Sequence, residues 1–517
     1  MTQQELPETS DLDRPLTHVH FIGVGGAGMS ALALVLLARG EVTVTGSDLK
    51  DSRYTRALRE AGMDVSSGHA AQNITDPDIV VISTAITDNN PELLEAYRRG
   101  IPVWPRAQML AWLCRGRRTI AVAGTHGKTS TSSMIAVLLT GLGLDPGFCI
   151  GGQITQFETN AHAGSGPDFV VEADESDRSF LYLSPQIVVL TNLEPDHMDH
   201  YADLDDIKAT FAAFLDKVDP DGTVIVSGES AHALEVARCS GRRVLRYGAG
   251  PDDDYRILDI SSADQGSTFE LRYPDGGVQT ARVALPGAHM VANAAAALAL
   301  ADQLGIDADR AADALSSFKG VHRRFDLVGV STDGIKVVDD YGHHPTEIAA
   351  TLTGAAHLGA ERVVVVFQPH RYSRTQAFAD DFGEAFTAAD KVILTDVYSA
   401  GEAPIPGVSG RTILESLLTR HPHIDVAYLP HRSELAPYLE QSLRPGDLLI
   451  TMGAGDVTLL GPLFLEHHEK ELEARLRSGS GSSGGSGGEE AGAGEAEVAA
   501  VAVAACATAD QARVAQP

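Results

Sequence analysis

Cysteine is scarce in this chain of 517 residues, and the four present, Cys114, Cys149, Cys239 and Cys506, are scattered without any Cys-x-x-Cys pairing. That excludes a disulfide framework and gives no sign of a structural zinc site, and it suits a reducing, cytoplasmic compartment. Long apolar runs are missing too. Residues 1–15 are polar and acidic with no signal core, and Val498 to Ala507, the longest such run near the end, is too short to span a bilayer. The expectation is a soluble protein with no stable membrane insertion. Basic residues are also few: 40 Lys and Arg stand against 70 Asp and Glu, a net charge of −30. A surface of that sign repels nucleic acid, so any phosphate the protein binds must be met by a local, built site.

What the chain does have is length for several cores. At roughly 100 to 200 residues per domain, 517 residues predict about three domains. From His18 onward short apolar segments alternate with helical ones. His18 to Gly23, Val42 to Gly46, Ile79 to Ser83 and Ile101 to Val103 read as buried parallel strands of a doubly wound α/β unit. Arg115-Gly-Arg-Arg118 marks a boundary before a new strand at Thr119. The second block has strands at Phe169 to Glu172, Ile187 to Asn192 and Thr223 to Ser227, and an alanine-rich helix over Asn293 to Leu304. A third begins near Val321-His-Arg-Arg-Phe325, with strands at Lys336 to Asp339, Val363 to Phe367, Lys391 to Thr395 and Leu448 to Met452. The fold expected is therefore three consecutive α/β domains, at 1–116, 117–322 and 323–477. A charged helix around Glu466 to Arg477 precedes a Gly/Ser and then Ala/Glu tract over 478–517, whose composition cannot bury enough apolar area to offset chain entropy and predicts disorder.

The most informative segment is Ala121-Val-Ala-Gly-Thr-His-Gly-Lys-Thr129, an apolar strand running into a glycine turn and a helix. Gly124 and Gly127 let backbone amides approach phosphate oxygens, Lys128 supplies a point charge, and the Thr129 hydroxyl is a Mg2+ ligand type, so the segment points to ATP. The following helix, with Met134, Ile135, Leu138 and Leu142 on one face, adds its positive end. The general P-loop pattern has a glycine where this chain has Val122, so this is a shortened form.

Gly23-Val-Gly-Gly-Ala-Gly28 follows the first strand and opens a helix, with Asp48 twenty residues beyond Gly28 at the end of the next strand. By spacing this is a dinucleotide-type fingerprint for a ligand diphosphate, although a tight strand-to-helix turn gives the same pattern. At this point a nicotinamide dehydrogenase remains an alternative, made awkward by the second nucleotide motif.

In Val171-Glu-Ala-Asp-Glu-Ser-Asp177 carboxylates gather where a strand runs out, and Glu172 is best placed to reach Mg2+. A solvated acidic turn would look similar. Asn192-Leu-Glu-Pro-Asp-His-Met-Asp-His200 offers two readings: a magnesium–phosphate site using His197, or a zinc site using Asp196, His197, Asp199 and His200. The upstream P-loop favours magnesium. In the third block Asp339-Asp-Tyr-Gly-His-His-Pro-Thr346 and Gln368-Pro-His-Arg-Tyr-Ser-Arg-Thr375 each follow a strand. Arg371 and Arg374 suit a carboxylate, and His343 and His344 are of the residue type that can exchange a proton near neutral pH.

These motifs in this order resemble the Mur ligases over roughly Val19 to Gly455. The resemblance implies that the first domain binds a UDP sugar, UDP-N-acetylmuramate, with Gly25, Gly26, Ala27, Gly28, Met29 and Ser30 on its diphosphate and Asp48 nearby. It implies that the central domain binds ATP with Mg2+ or Mn2+, using the loop Gly124-Thr125-His126-Gly127-Lys128-Thr129-Ser130. In the family Lys128 holds the phosphates, Thr129 and Glu172 bind one metal, His197 binds a second, and Asn293 contacts adenine. Arg324 and Asp340 match residues that reach phosphate and ribose. Where many relatives carry asparagine, this chain has Met290. Ser176 and the Gly-Gly-Ala-Gly-Met-Ser form favour members that add L-alanine over those that attach a whole peptide.

The chemistry expected is ATP-dependent activation of the sugar-borne carboxylate as an acyl phosphate, attacked by the amine of L-alanine. The C-terminal domain is expected to close over the reaction, with His343 or His344 accepting the amine proton and Arg371 or Arg374 holding the alanine carboxylate.

Overall fold

The computed structural model describes residues 15–198, 200–263 and 266–479. It divides into two compact units after Val321. The first contains two sheets and the second contains one.

The first sheet has five strands, β1 (His18–Ile22), β2 (Thr43–Asp48), β3 (Asp64–Ser67), β4 (Ile79–Ile82) and β5 (Val103–Pro105), in the order β3-β2-β1-β4-β5. All neighbours pair parallel. The order reverses at β1, so the loop after β1 opens into the crevice at the carboxyl edge where α/β sheets take ligands. The last strand begins at Val103 rather than Ile101, because Pro102 has no N–H to give the ladder and contributes only its carbonyl, to Val80.

The second sheet has ten strands: β6 (Arg118–Ala123), β7 (Gly147–Ile154), β8 (Thr159–His162), β9 (Asp168–Glu172), β10 (Ile187–Leu190), β11 (Thr223–Ser227), β12 (Arg243–Gly248), β13 (Tyr255–Ala263), β14 (Gly266–Arg272) and β15 (Val278–Val283). Their order is β15-β14-β13-β12-β11-β10-β6-β9-β7-β8. The central strands are parallel with apolar interiors, as strands covered on both faces must be: Ile187–Leu190 is buried at every residue. Here β6 is the switch point, flanked by β10 and β9. The register pairs Val122 with Glu172 and Ala123 with Leu190, so the ends of three strands meet at the glycine turn. The antiparallel meander β13-β14-β15 lies beyond the α/β pattern expected of this block.

The helix after β6, Lys128–Gly141, is buried all round from Thr129 to Leu139 rather than along one face. Sheet covers one side, and helices Ala288–Gln303 and Ala308–Ser316 cover the other; the small side chains of Thr131, Ser132 and Ser133 are all buried within this packing. Leu142, expected on the apolar face, is the C-cap. The alanine-rich helix starts at Ala288, five residues earlier than expected, behind Gly287 at φ 105°.

In the second unit, β16 (Asp326–Val330), β17 (Lys336–Asp340), β18 (Arg362–Phe367), β19 (Lys391–Leu394), β20 (Val426–Tyr428) and β21 (Asp447–Met452) run in the order β16-β17-β21-β18-β19-β20. Only β16 is antiparallel. Met452 of β21 is paired with Asp340 on one side and Phe367 on the other, so the loops after β17 and β18 emerge side by side. The final helix spans Leu460–Gly479. The tail expected to be disordered lies, from residue 480 on, outside the described residues. Among the described residues no helix is long and apolar enough to cross a membrane.

Candidate active site

The glycine turn after β6 requires its glycines. Gly124 sits at φ 129°, and a Cβ there would lie 2.2 Å from Thr191 Oγ1. Gly127, at φ 81°, is the N-cap of the helix Lys128–Gly141, and a Cβ there would lie 2.9 Å from Asn293 Oδ1. Left-handed backbone and close neighbours both exclude a side chain. The turn is braced from the end of β10. Asn192 accepts from the His126 amide at 2.8 Å and donates to its carbonyl at 3.0 Å, while Thr191 Oγ1 donates to the same carbonyl at 2.6 Å. Thr125 Oγ1 accepts from the Glu194 amide at 2.9 Å.

Lys128 Nζ donates to the carbonyls of Gly124 at 2.6 Å and Thr125 at 3.0 Å, and to Glu175 Oε1 at 2.8 Å. Burial opposes its charge, but Glu175, Asp174 and Glu172 outweigh that and raise its pKa. Burial pushes the Glu175 carboxyl up to about 7 against the pull of Lys128, with the charge of Asp174 adding to the rise. Asp174 titrates lower than usual: burial pushes it up, but Lys128, Ser176 and Arg106 more than compensate.

Thr129 Oγ1 donates to Glu172 Oε1 at 3.0 Å, and Glu172 Oε2 accepts from the Gly151 amide at 2.7 Å. A hydroxyl and a carboxylate side by side form an all-oxygen, hard donor pair, which fits Mg2+ or Mn2+. His197 is in the segment after β10, held at φ 53°, with its amide on Asp196 Oδ1 at 2.7 Å and its Nε2 3.6 Å from Asp196 Oδ2. A non-glycine residue there carries backbone strain of the kind that gathers at functional sites. The alternative zinc set includes Asp199, which lies outside the described residues. Asn293, buried on the helix Ala288–Gln303, packs against Gly127 and donates to the Met290 sulfur at 3.9 Å. The methionine that replaces asparagine is thus itself a partner of Asn293. Ser130 is buried in the helix's first turn.

In the first sheet, Gly25, Gly26 and Ala27 form the turn into the helix Ala27–Arg39, with Gly26 as N-cap and Gly28, Met29 and Ser30 in its first turn. Asp48 anchors this turn: its Oδ2 accepts from the Gly25 amide at 2.7 Å and its Oδ1 from the Lys50 amide at 2.9 Å. A cavity of about 80 Å³ connects the turn to the metal-type carboxylate, lined by Gly28, Arg106, Gly151, Asn160, Glu172 and Asp174 among others. Arg106 stands 3.8 Å from Asp174 and would touch a Cβ on Gly28. Arg106, Asn160 and Glu175 carry no role in the sequence reading. Arg106 follows β5 directly, at the carboxyl edge where ligands sit, and that position was the available signal.

The second unit brings its own residues together. Asp340, buried at the end of β17, accepts from the Phe325 amide at 2.8 Å and the Gly342 amide at 2.7 Å, and burial, against the pull of Arg324, lifts its carboxyl to about 6. Arg324 lies 3.7 Å from Glu347 and 5.0 Å from the Tyr341 ring centroid. The two histidines differ in tautomer. His343 Nδ1 sits 3.0 Å from the Tyr341 carbonyl and therefore carries the proton, leaving the lone pair on Nε2. His344 Nδ1 accepts from the Thr346 amide at 3.3 Å as N-cap of the helix Pro345–Ala355, which puts its proton on Nε2. Arg374, only 8% exposed, lies 3.4 Å from His370, whose ring is 5.7 Å from that of His343. Arg371, at φ 69°, is 3.9 Å from Glu402. The structure thus groups His343, His370 and Arg374, with Arg371 one residue from His370 but directed to a carboxylate.

A strand-turn-helix glycine loop with a lysine, a hydroxyl and a carboxylate, beside a second glycine-rich turn on a separate parallel sheet, has the makings of a nucleotide-binding enzyme. Three family models cover the chain: the Mur ligase catalytic domain at residues 18–118, the Mur ligase middle domain at 122–301, and the Mur ligase glutamate ligase domain at 323–455. The chain is 47% identical over 476 residues to a UDP-N-acetylmuramate–L-alanine ligase of Thermobifida fusca, covering 90% of this chain and 99% of that protein. It is 46% identical over 448 residues to one of Syntrophotalea carbinolica, covering 87% and 97%. Among solved structures it is similar to a UDP-N-acetylmuramate–alanine ligase of Thermotoga maritima, with a TM-score of 0.73 and 30% identity over 88% of this chain and all of that one. A murein peptide ligase of Psychrobacter arcticus matches with a TM-score of 0.65 and 26% identity, over 88% of this chain and 99% of that one. The chain belongs to the Mur ligase family.

Proposed function

We propose that this protein joins L-alanine to the carboxylate of UDP-N-acetylmuramate with hydrolysis of ATP to ADP and phosphate, the first amino-acid addition in peptidoglycan precursor synthesis, in the cytoplasm. The observation that carries it is a glycine-walled loop that holds Lys128 and, next to it, a Thr129 hydroxyl bonded to the Glu172 carboxylate at 3.0 Å. Likeness at 46–47% identity to alanine-adding ligases over nearly the whole chain supports the choice of amine.

A carboxylate does not condense with an amine in water until its oxygen becomes a good leaving group. The carboxylate takes the γ-phosphoryl group and ADP departs; the alanine amine attacks the acyl phosphate through a tetrahedral intermediate that loses the amine proton and expels phosphate. In this reading the residues 124–130 hold the ATP phosphates, and Thr129, Glu172 and His197 would hold Mg2+ or Mn2+, which would supply positive charge to the crowded phosphate oxygens. Asn293 lies against the adenine side of the loop. Gly25 to Ser30 take the sugar-nucleotide diphosphate on a helix N-terminus, with Asp48 holding that turn in shape. Arg106, in the cavity that leads from Gly28 to Glu172, is placed to meet the anionic substrate between the two loops.

For the second unit the roles come from the family resemblance, with the local geometry used only to choose between the two histidines. Arg324 and Asp340 are assigned to the nucleotide, and Arg371 and Arg374 to the alanine carboxylate. The amine proton goes to His343, whose lone pair is on Nε2, while His344 orients the helix that it caps. The domains take the limits 1–116 for the UDP sugar, 117–322 for ATP and 323–477 for the C-terminal α/β unit.

The test is ADP release with UDP-N-acetylmuramate present and amino acids or peptides added singly. Release that depends on L-alanine is expected, with weaker activity on glycine and serine because one methyl or hydroxyl gives only about 10- to 200-fold discrimination. Release that depends on a peptide and ignores alanine would overturn the assignment.

A further inference from the structure

Glu175, in the same acidic cluster as Glu172, has no part in this scheme, and its surroundings are unusual. It is 3% exposed, its Oε1 accepts from Lys128 at 2.8 Å, and its Oε2 is buried with no hydrogen-bond partner. Its carbonyl accepts from Tyr201 Oη at 2.5 Å, which fixes the backbone that aims the side chain at the loop. The titratable groups facing it are Lys128, Asp174 and Tyr201. All three donations of Lys128 go to the loop's own carbonyls and to Glu175, which leaves none for a phosphate. A polyphosphate must therefore turn Lys128 away from at least one of these partners, and Glu175 is the competing anion.

We propose that Glu175 is a positioning residue that holds Lys128 against the loop carbonyls until a nucleotide polyphosphate takes the ammonium, and that Glu175 then binds a proton, so that nucleotide binding is coupled to proton uptake. This rests on the nucleotide-binding reading of the loop. The physical cause is the desolvation of a buried carboxylate that loses its one counter-charge while Asp174 stays close. The proton comes from solvent and resides on a carboxylate oxygen of Glu175, and no covalent bond changes. The carboxyl already titrates at about 7 with Lys128 in place, so it stands at the edge of protonation.

The experiment is calorimetric titration of the full chain with Mg-ADP at pH 7, in buffers of different ionisation enthalpy. The slope of apparent heat against ionisation enthalpy counts protons taken up. Wild type is expected to take up roughly half a proton, the share that a carboxyl titrating at about 7 lacks at that pH, and Glu175→Gln close to none. Because the amide of Glu175→Gln still accepts from Lys128, its KM for ATP is expected within a fewfold of wild type while its pH dependence flattens. Binding by wild type with no proton uptake overturns the proposal, and so does equal uptake in Glu175→Gln. The wild-type result decides even if that variant fails to fold. An absence of Mg-ADP binding overturns the nucleotide assignment itself, and this inference with it.

Discussion

Thr129, in the helix that follows β6, and Glu172, at the end of β9, share a 3.0 Å hydrogen bond, and the register of these adjacent parallel strands sets Val122 opposite Glu172. The register thus brings a hydroxyl from the P-loop helix to a carboxylate more than forty residues away in sequence. Glu172→Gln keeps the shape and removes the charge. The expected outcome is a rise of at least about 10-fold in the Mg2+ concentration needed for half-maximal ADP release, with an unchanged unfolding midpoint.

Lys128→Met removes the phosphate's point charge and should lower alanine-dependent ADP release about 100- to 1000-fold. It also strands Glu175. At alkaline pH, where the stranded Glu175 carboxyl must either stay buried and charged or hold a proton against solvent, the single variant should unfold at lower urea than the double variant with Glu175→Gln. Equal urea midpoints for the two would show that the pair is not coupled.

Gly124→Ala places a methyl 2.2 Å from the Thr191 hydroxyl at a backbone angle that alanine avoids. The loop must shift, at a cost of about 1–3 kcal/mol. Affinity for ADP, read by fluorescence or calorimetry, should fall about 10-fold or more, whereas Gly116→Ala, at φ 73° but with open space around it, should leave that affinity unchanged.

His343→Ala should lower turnover about 100- to 10,000-fold, as the loss of a general base does, and flatten the acid limb of the pH profile. His344→Asn retains a cap for the helix Pro345–Ala355 and should keep turnover within about 10-fold of wild type. The reverse result would move the proton acceptor to His344.

Asp340 titrates at about 6 in the folded unit, above the unfolded value, because it is buried. Between about 4 and 6 the folded state therefore binds more protons than the unfolded one, so stability falls as pH rises through that window and levels off above it. Wild type should gain stability relative to Asp340→Asn when urea unfolding is moved from pH 7 to pH 4.5. No change in the difference would remove the burial effect.

Much of the parallel scaffold was legible because continuous apolar runs such as Ile187–Leu190 and Val363–Phe367 are what strands buried on both faces require. The meander β13-β14-β15 was not, because its strands at a sheet margin keep neither a continuous apolar run nor a clean alternation and carry no motif. The glycine turns were legible for a related reason. A positive φ next to a close neighbour admits only glycine, and Gly124 and Gly127 show both conditions.

By itself the amino-acid sequence determined the inventory: two glycine loops, a lysine and threonine that open a helix, and acidic and histidine clusters at strand ends, each a local pattern of residue types over a few positions. Tertiary structure alone decided which groups meet and in what state. Sheet register set Glu172 against Thr129, burial left Glu175 with one partner and one orphaned oxygen, and the hydrogen bonds of Tyr341 and Thr346 assigned opposite tautomers to adjacent histidines. Proton placement and charge depend on what surrounds a side chain within a few ångströms, and those neighbours come from strands distant in the chain.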